Sequence, residues 1–238
     1  MSESMQKHCA LVTGATSGIG REVVRLLVAD GWRVIGVGRD AQRLADLEKE
    51  LGADFIGFTA DLCEFDASGK IAAFAKQQFP QLDLLVNNAG CSWVGEVANM
   101  PDDKVDALIN VNLRSLVMLS RNAIPLLARS GQAQIINIGS VAAHLNADLI
   151  SLYSATKSAV ITFTHALAKE LAPKNIRVNV VSPTGTDTEV FDRAGVSIDR
   201  SKLLPAPDVA KIIMLMTQLP ASVDVGELLL AKRFTPGG

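Results

Sequence analysis

Short apolar runs alternate along this chain with longer segments whose apolar residues recur at helical spacing, and this alternation limits the fold more than any other feature. The strand-like runs are Cys9–Thr13, Arg33–Gly38, Phe55–Thr59, Leu82–Asn87, Gln134–Ile138, Arg177–Ser182 and Glu227–Leu230. The helix-like segments are Ile19–Asp30, Ala41–Leu51, Ser68–Gln78, Asp102–Leu127, Ser151–Leu171 and Pro207–Thr217. Strands and helices that alternate in this way form parallel sheets with right-handed crossovers. The sequence therefore predicts an α/β fold, with one seven-stranded parallel sheet and helices on both faces.

Length and composition fit a single domain of this kind. The chain has 238 residues, of which 48% are hydrophobic. A sheet that is covered on both faces needs such apolar strands, and its size suits one core. We expect one domain over residues 1–238, with its loosest segment at 184–205.

Charge and cysteine content exclude several classes of function. The chain carries 23 Lys and Arg against 25 Asp and Glu, a formal net charge of −2, without a basic block. It therefore lacks the electrostatic surface that binds nucleic acid or an anionic membrane, and we expect a small-molecule partner. The polar N-terminus has no apolar stretch typical of a signal peptide, and no run is long enough to span a membrane, so we expect a cytoplasmic protein. Cys9, Cys63 and Cys91 show neither paired nor Cys/His spacing, which predicts no disulfide and no metal site.

The first strand runs directly into a glycine-rich turn, Thr13–Gly20 (TGATSGIG), which opens a helix. Glycines at such a turn let the backbone approach a pyrophosphate, whose charge is stabilised by the N–H groups and dipole of the helix N-terminus. This position marks the dinucleotide site of doubly wound, Rossmann-type sheets. The alternative is a tight strand-to-helix turn that binds nothing.

Tyr153 and Lys157 are four residues apart on a predicted helix, so they share one face. A nearby ammonium would lower the pKa of the phenol and allow it to act as a general acid or base. Tyr153 is the only tyrosine of the chain. Ser140 lies just beyond the fifth strand, where ligands of parallel sheets bind. The alternatives are an amphipathic helix with a surface lysine, and a serine that serves a turn or cap.

These motifs together resemble the short-chain dehydrogenase/reductase superfamily, whose signature is TGxxxGxG. Asn87–Gly90 (NNAG) looks like a second family element, Ser140 stands the family's usual 13 residues before Tyr153, and Arg177–Pro183 looks like its RVNxxxPG strand. The resemblance covers nearly the whole chain. It implies a cofactor site at the glycine turn (Gly14, Thr16, Ser17, Gly18, Ile19, Gly20), at the second element (Asn88, Ala89, Gly90), and at Asp61 and Leu62 beside the adenine.

The resemblance also implies the catalytic roles. Ser140 would hydrogen-bond the substrate oxygen, and Tyr153 would transfer the proton. Lys157 would tune Tyr153 and hold the nicotinamide ribose, and Asn112 would support a water relay to Lys157. Taken alone, Asn112 is a polar kink or a helix contact, and Asp61 is a helix cap or a loop carboxylate.

The loop after the sixth strand departs from the family pattern, because Thr184 stands between Pro183 and Gly185. Pro183, Thr184 and Gly185 are expected at the nicotinamide, with Thr186 and Thr188 at the pyrophosphate, although loop threonines without a ligand are the alternative. Segment 184–205 would then be the substrate loop. By position, Trp93, His144 and Phe191 border the substrate, or else they only pack there.

The end of the second strand predicts NADP(H) as the cofactor. NAD-preferring enzymes place a carboxylate there to bind the adenosine ribose, whereas this chain has Gly38 followed by Arg39. A guanidinium can bind the 2′-phosphate in paired hydrogen bonds. The alternative is an exposed loop arginine beside Asp40, which caps the second helix.

These features predict an NADP(H)-dependent oxidoreductase that transfers a hydride between the nicotinamide and a small-molecule alcohol or ketone. The C-terminal stretch resembles the branch that oxidises 3-hydroxy acids, and a 3-oxoacyl-type compound is the other candidate. A non-catalytic dinucleotide-sensing protein and a lyase or epimerase are the alternatives; the complete Ser140, Tyr153 and Lys157 set argues against the first, and the short stretch after Leu230 against the second.

The helix at Ser151–Leu171 carries apolar or small residues on several faces, which predicts a homo-oligomer, a dimer or tetramer, built partly from the fourth and fifth helices.

Overall fold

A computed structural model describes residues 7–145 and 147–233. The strands are β1 (Cys9–Thr13), β2 (Arg33–Gly38), β3 (Phe55–Thr59), β4 (Leu84–Asn87), β5 (Ala133–Ile138), β6 (Ile176–Pro183), β7 (Thr186–Asp187), β8 (Leu204–Pro205) and β9 (Glu227–Leu230). The helices are α1 (Gly18–Ala29), α2 (Ala41–Leu51), α3 (Ala67–Gln78), α4 (Asp102–Ile109), α5 (Ser115–Leu127), α6 (Ala142–Leu145), α7 (Ser151–Leu171), α8 (Val190–Arg193) and α9 (Ala206–Thr217).

Seven strands form one parallel sheet in the order β3-β2-β1-β4-β5-β6-β9. The order runs outward in one direction from β1 to β3 and in the other from β4 to β9. Between β1 and β4 lies the switch point, where ligands of such sheets bind at the carboxyl ends of the strands. The predicted fold, a doubly wound parallel sheet of Rossmann type, is confirmed.

The core lies in two layers, one on each face of the sheet. Alternate residues of a strand point to opposite faces, so Val12 packs with α1 and α9 while Leu11 packs with α3, α5 and α7. Both side chains are completely buried. The covering helices use the apolar face that the sequence pattern predicts, as at Val23, Val24 and Leu27 of α1.

The structure differs from the sequence prediction at several elements. The predicted helix Asp102–Leu127 is divided: α4 and α5 are joined by a π-helical turn over Asn110–Arg114. β4 begins at Leu84 rather than at Leu82, since the side chain of Asp83 accepts a hydrogen bond from the backbone N–H of Cys9. The short elements α6, α8, β7 and β8 were not predicted. In the described part of the chain, no helix is both long and apolar enough to cross a membrane.

Candidate active site

The glycine-rich turn lies between β1 and α1. Gly14 and Gly18 have φ angles of 68° and 53°, in the left-handed region that favours glycine. A Cβ atom on Gly20 would lie 2.3 Å from the carbonyl oxygen of Gly14, so only glycine permits this close approach. Ser17 precedes α1 and forms no side-chain cap in the described structure. The first N–H groups of α1 are thus left for an anion, as a pyrophosphate requires.

The NNAG segment after β4 holds this turn in place. The backbone N–H groups of Asn88 and Ala89 both donate to the hydroxyl of Thr13, at 3.0 Å each. The side-chain amide of Asn88 donates to the carbonyl of Thr13 at 2.8 Å. The side-chain amide of Asn87, the last residue of β4, donates to Asn137 of β5 at 2.9 Å. Polar contacts therefore fix the carboxyl ends of β1, β4 and β5 to one another, and sequence reasoning missed the part that Thr13 plays in this.

Ser140, Tyr153 and Lys157 are brought together where β5 ends and α7 begins. Ser140 is only 9% exposed and Lys157 only 5% exposed, while Tyr153 is half-buried. The ammonium of Lys157 donates to the carbonyl oxygen of Ile138 at 2.7 Å. Its Nζ lies 5.9 Å from the centre of the Tyr153 ring. All three side chains line one cleft.

In the ligand-free site, Lys157 is not among the groups that shift the pKa of Tyr153, and the predicted tuning stays a prediction. Burial raises the pKa of Tyr153 above its ordinary value, and a hydrogen bond with Ser140 opposes that rise only in part. Burial also lowers the pKa of Lys157 to about 8. The physical reason is that the lysine is itself withdrawn from water and directed at a backbone carbonyl, so Ser140 is the group that favours the phenolate.

Asn112 lies in the π-helical turn between α4 and α5. Its Oδ1 accepts from the backbone N–H of Cys91 at 2.8 Å, and its Nδ2 donates to the carbonyl of Cys91 at 2.9 Å and to the hydroxyl of Thr156 at 3.2 Å. The side chain is buried and does not line the cleft. Asn112 thus links the loop after NNAG, at Cys91, to α7 at Thr156, which directly precedes Lys157.

The cleft has a volume of about 980 Å³, enough for a dinucleotide and a small substrate together. It is lined by most of the residues that the sequence predicts for cofactor and substrate: Gly14, Thr16, Ser17, Gly18, Ile19, Arg39, Asp61, Leu62, Asn88, Ala89, Gly90, Ser140, Tyr153, Lys157, Pro183, Thr184, Gly185, Thr186, Thr188 and Phe191.

Four predicted residues do not line the cleft: Gly20, Asn112, Trp93 and His144. The Nε2 atom of His144 lies 2.9 Å from a carboxylate oxygen of Glu227 on β9. The ring of Trp93 covers Gly95, where a Cβ atom would approach it to 2.6 Å. Neither side chain is placed to touch a substrate in this structure.

One end of the cleft is highly charged. Arg39, 65% exposed, has its guanidinium 3.8 Å from the carboxylate of Asp61. Asp40 caps α2, as predicted, by accepting from the N–H of Arg43 at 3.0 Å. The guanidinium of Arg43 contacts both carboxylate oxygens of Glu189 at 2.8 and 2.9 Å. This contact joins α2 to the start of α8, and it was missed because no motif pairs residues so far apart in sequence.

Comparison with known proteins agrees with this geometry. The family model described as short chain dehydrogenase matches residues 8–196. An uncharacterised oxidoreductase of Staphylococcus aureus is 31% identical over 220 residues, which cover 92% of this chain and 94% of that protein. The chain belongs to the short-chain dehydrogenase/reductase superfamily. The family resemblance drawn from the TGxxxGxG and NNAG motifs is thereby confirmed, and the protein is an oxidoreductase.

Further relatives of this superfamily have named activities. A serine 3-dehydrogenase of Agrobacterium fabrum is 32% identical over 231 residues, covering 92% of this chain and 91% of that protein. A solved structure, the closed form of serine dehydrogenase complexed with NADP+, has a TM-score of 0.85 and 27% identity, covering 96% of this chain and 97% of that one. A 3-ketoacyl-(acyl-carrier-protein) reductase from Brucella melitensis complexed with NADH has a TM-score of 0.87 and 27% identity, covering 96% and 98%.

Proposed function

We propose that this oxidoreductase interconverts a small-molecule alcohol and its ketone with NADP(H) as cofactor. The observation that carries the proposal is that Ser140, Tyr153 and Lys157 line the same cleft as the glycine turn. A site that only sensed a dinucleotide would need the glycine turn but no proton-transfer group beside it.

When bound, the nicotinamide supplies the hydride for reduction or accepts it in oxidation. Ser140 donates a hydrogen bond to the substrate oxygen and so polarises the carbonyl. The phenol of Tyr153 gives its proton to that oxygen as the alcohol forms, and it takes the proton back in the opposite direction. Lys157, fixed by the carbonyl of Ile138, orients the cofactor ribose.

The preference for NADP(H) rests on the charged end of the cleft. Gly38 leaves no carboxylate at the end of β2, and the exposed Arg39 follows it. Arg43 supplies a second guanidinium in the cleft lining. A similar serine dehydrogenase is complexed with NADP+, whereas the similar Brucella reductase is complexed with NADH, so this chain's own arginines decide the proposal.

The remaining features of the proposal follow from the sequence. The chain acts as one domain over residues 1–238, with 184–205 as the substrate loop, and it works in the cytoplasm as a homo-oligomer. Within the described residues, segment 184–205 contributes Phe191 and Val196 to the cleft, which supports its assignment to substrate binding.

The test is reduction of a panel of ketones with NADPH and with NADH, followed by absorbance of the nicotinamide. Tyr153→Phe keeps the ring and removes the transferable proton, so we expect kcat to fall about 10²–10⁴-fold. Cofactor affinity, measured by titration of NADPH fluorescence, should be unchanged. A variant that keeps more than about a tenth of the wild-type kcat contradicts the assignment.

A further inference from the structure

Charge is distributed unevenly over the cleft, and the distribution bears on the substrate. Apart from Lys157, the charged residues that line it in the described part of the chain are Arg39, Asp40, Arg43, Asp61, Glu189 and Arg193. They contact one another: Arg39 with Asp61, Arg43 with Asp40 and Glu189, and Arg193 with Glu189 at 2.7 Å. They therefore form two charged groups, one of Arg39 and Asp61 and one of Arg43, Asp40, Glu189 and Arg193, in which each cation already faces a carboxylate.

Four of these residues lie at the adenosine end of the cleft. Arg39, Asp40 and Arg43 follow β2 and Asp61 follows β3, whereas Ser140 follows β5. β2 and β5 are three positions apart in the sheet, which at about 4.8 Å for each strand spacing gives about 14 Å. The four charged residues that follow β2 and β3 are thus separated from the atoms that would react.

The wall around Ser140 and Tyr153 is apolar. Val141 and Leu145 come from the segment after Ser140, Ile150 from the residue before α7, and Phe191 and Val196 from the loop over the cleft. The polar groups near them are neutral: the hydroxyl of Ser92, and the thiol of Cys91, whose pKa burial raises to about 11.

Three basic side chains come near this wall, and each already has a partner in the described structure. Lys157 donates to Ile138 and, under the proposed function, holds the cofactor. His144 is turned towards Glu227, which also accepts a hydrogen bond from Ser182 at 2.7 Å. Arg193 also lines the cleft, from the same short helix as Phe191, and its guanidinium is held by the carboxylate of Glu189 at 2.7 Å.

We propose that the reacting end of the cleft selects an uncharged ketone or secondary alcohol with apolar substituents and rejects a substrate that carries a carboxylate one methylene group away from the reacting carbon. This inference rests on the proposed function and narrows its substrate class. A carboxylate here would lose its water without gaining a cation, which is unfavourable, while an alkyl or ester group would gain apolar contacts. The 3-hydroxy acid suggested by the C-terminal resemblance is the substrate class that this distribution disfavours.

The test compares ethyl 3-oxobutanoate with 3-oxobutanoate, which share the reacting ketone and differ in charge. Each is reduced by the wild-type enzyme with NADPH at neutral pH. We expect kcat/KM for the ester to exceed that for the acid at least about 10-fold, since the acid lacks a charged partner. Equal or faster reduction of the acid overturns the inference and leaves the proposed activity standing.

Binding separates the two proposals if neither compound is reduced. Each ketone is titrated by calorimetry into enzyme saturated with NADP+, a pair that cannot react. Tighter binding of the ester without turnover supports the apolar site and contradicts the proposed activity. Equal or tighter binding of the acid, or no binding of the ester, overturns the inference.

A positive charge introduced into the apolar wall of the reacting end gives a second test of the inference. Leu145 lines the cleft and is 64% exposed, so Leu145→Arg adds a cation without disturbing the core. We expect this variant to raise kcat/KM for the acid about 10-fold or more. Leu149→Arg, in the same loop but outside the lining, should leave both values unchanged. An acid rate that does not respond to Leu145→Arg contradicts the inference.

Discussion

Tyr153 and Lys157 have pKa values shifted in opposite directions, which sets the sign of the pH dependence. With a raised pKa, Tyr153 remains a phenol at neutral pH and is ready to donate its proton. Lys157, with a pKa of about 8, is an ammonium below that pH and neutral above it. Reduction should therefore be fastest near neutrality and fall as pH rises through about 8, whereas oxidation needs the phenolate and should rise with pH.

The measurement is kcat/KM in both directions between about pH 6 and about pH 10, a range in which Lys157 titrates. Lys157→Arg serves as the comparison, because a guanidinium keeps its charge over this range. In the Lys157→Arg variant, cofactor affinity should fall less at alkaline pH than it does in the wild type. A reduction rate that climbs through pH 8 would show that the ammonium of Lys157 does not support reduction.

Arg39 determines the cofactor preference if the proposal is correct. Hydrogen bonds to a charged group are worth roughly 1.5–3 kcal/mol, so Arg39→Ala should cost about 10- to 150-fold in kcat/KM for NADPH. The value for NADH should hardly change. Arg129→Ala, an exposed arginine outside the cleft, is the matched control and should affect neither cofactor. Equal losses for both cofactors would refute the role.

At the scale of elements, the sequence predicted the long strands and helices well because their apolar period is strong. It predicted the division of Asp102–Leu127 wrongly, because a single π-helical turn adds too little to disturb a helical period over so many residues. That turn carries Asn112, whose contacts with Cys91 need the altered backbone. Position 112 was identified from the family motif, but its buried contacts could not be predicted from the chain.

The site residues divide in the same way. Motif residues such as Gly14, Tyr153 and Lys157 were predicted because a fixed local spacing carries their geometry. Arg43 and Glu189 were missed because their contact joins two elements 146 residues apart. His144 was placed beside the substrate from sequence position alone, and the structure instead turns it to Glu227 on β9.

The contact between Arg43 and Glu189 should hold α8 over the cleft. An exposed ion pair is worth about 0.2–1 kcal/mol, so Glu189→Gln should speed amide hydrogen exchange in residues 190–203 of the ligand-free protein by about 1.4- to 5-fold. Asp54→Asn breaks the exposed pair with Lys7, far from the loop, and should leave that exchange unchanged. Equal exchange in Glu189→Gln and the wild type would mean that the loop is held by its apolar contacts.

At the scale of the whole molecule, α7 contributes residues both to the cleft and to an exposed surface of the protein. The N-terminal end of α7 carries Tyr153 and Lys157, while Ala155, Thr162 and Ala166 lie exposed along its outer side. Small side chains there would let a second α7 approach closely around a twofold axis. Dimerisation through this surface would stabilise the helix that positions the reacting groups.

The predicted homo-oligomer can be tested on that surface. A stable interface buries about 800 Å² on each partner, and a long charged side chain at its centre is strongly unfavourable. Ala166→Arg, about two and a half turns of helix beyond Lys157, should therefore shift the protein towards the monomer in light scattering at micromolar concentration. Ala29→Arg, at the exposed end of α1, is the matched control and should keep the wild-type mass. A monomeric wild type rules out the oligomer, and an oligomer that survives Ala166→Arg places its interface on another face.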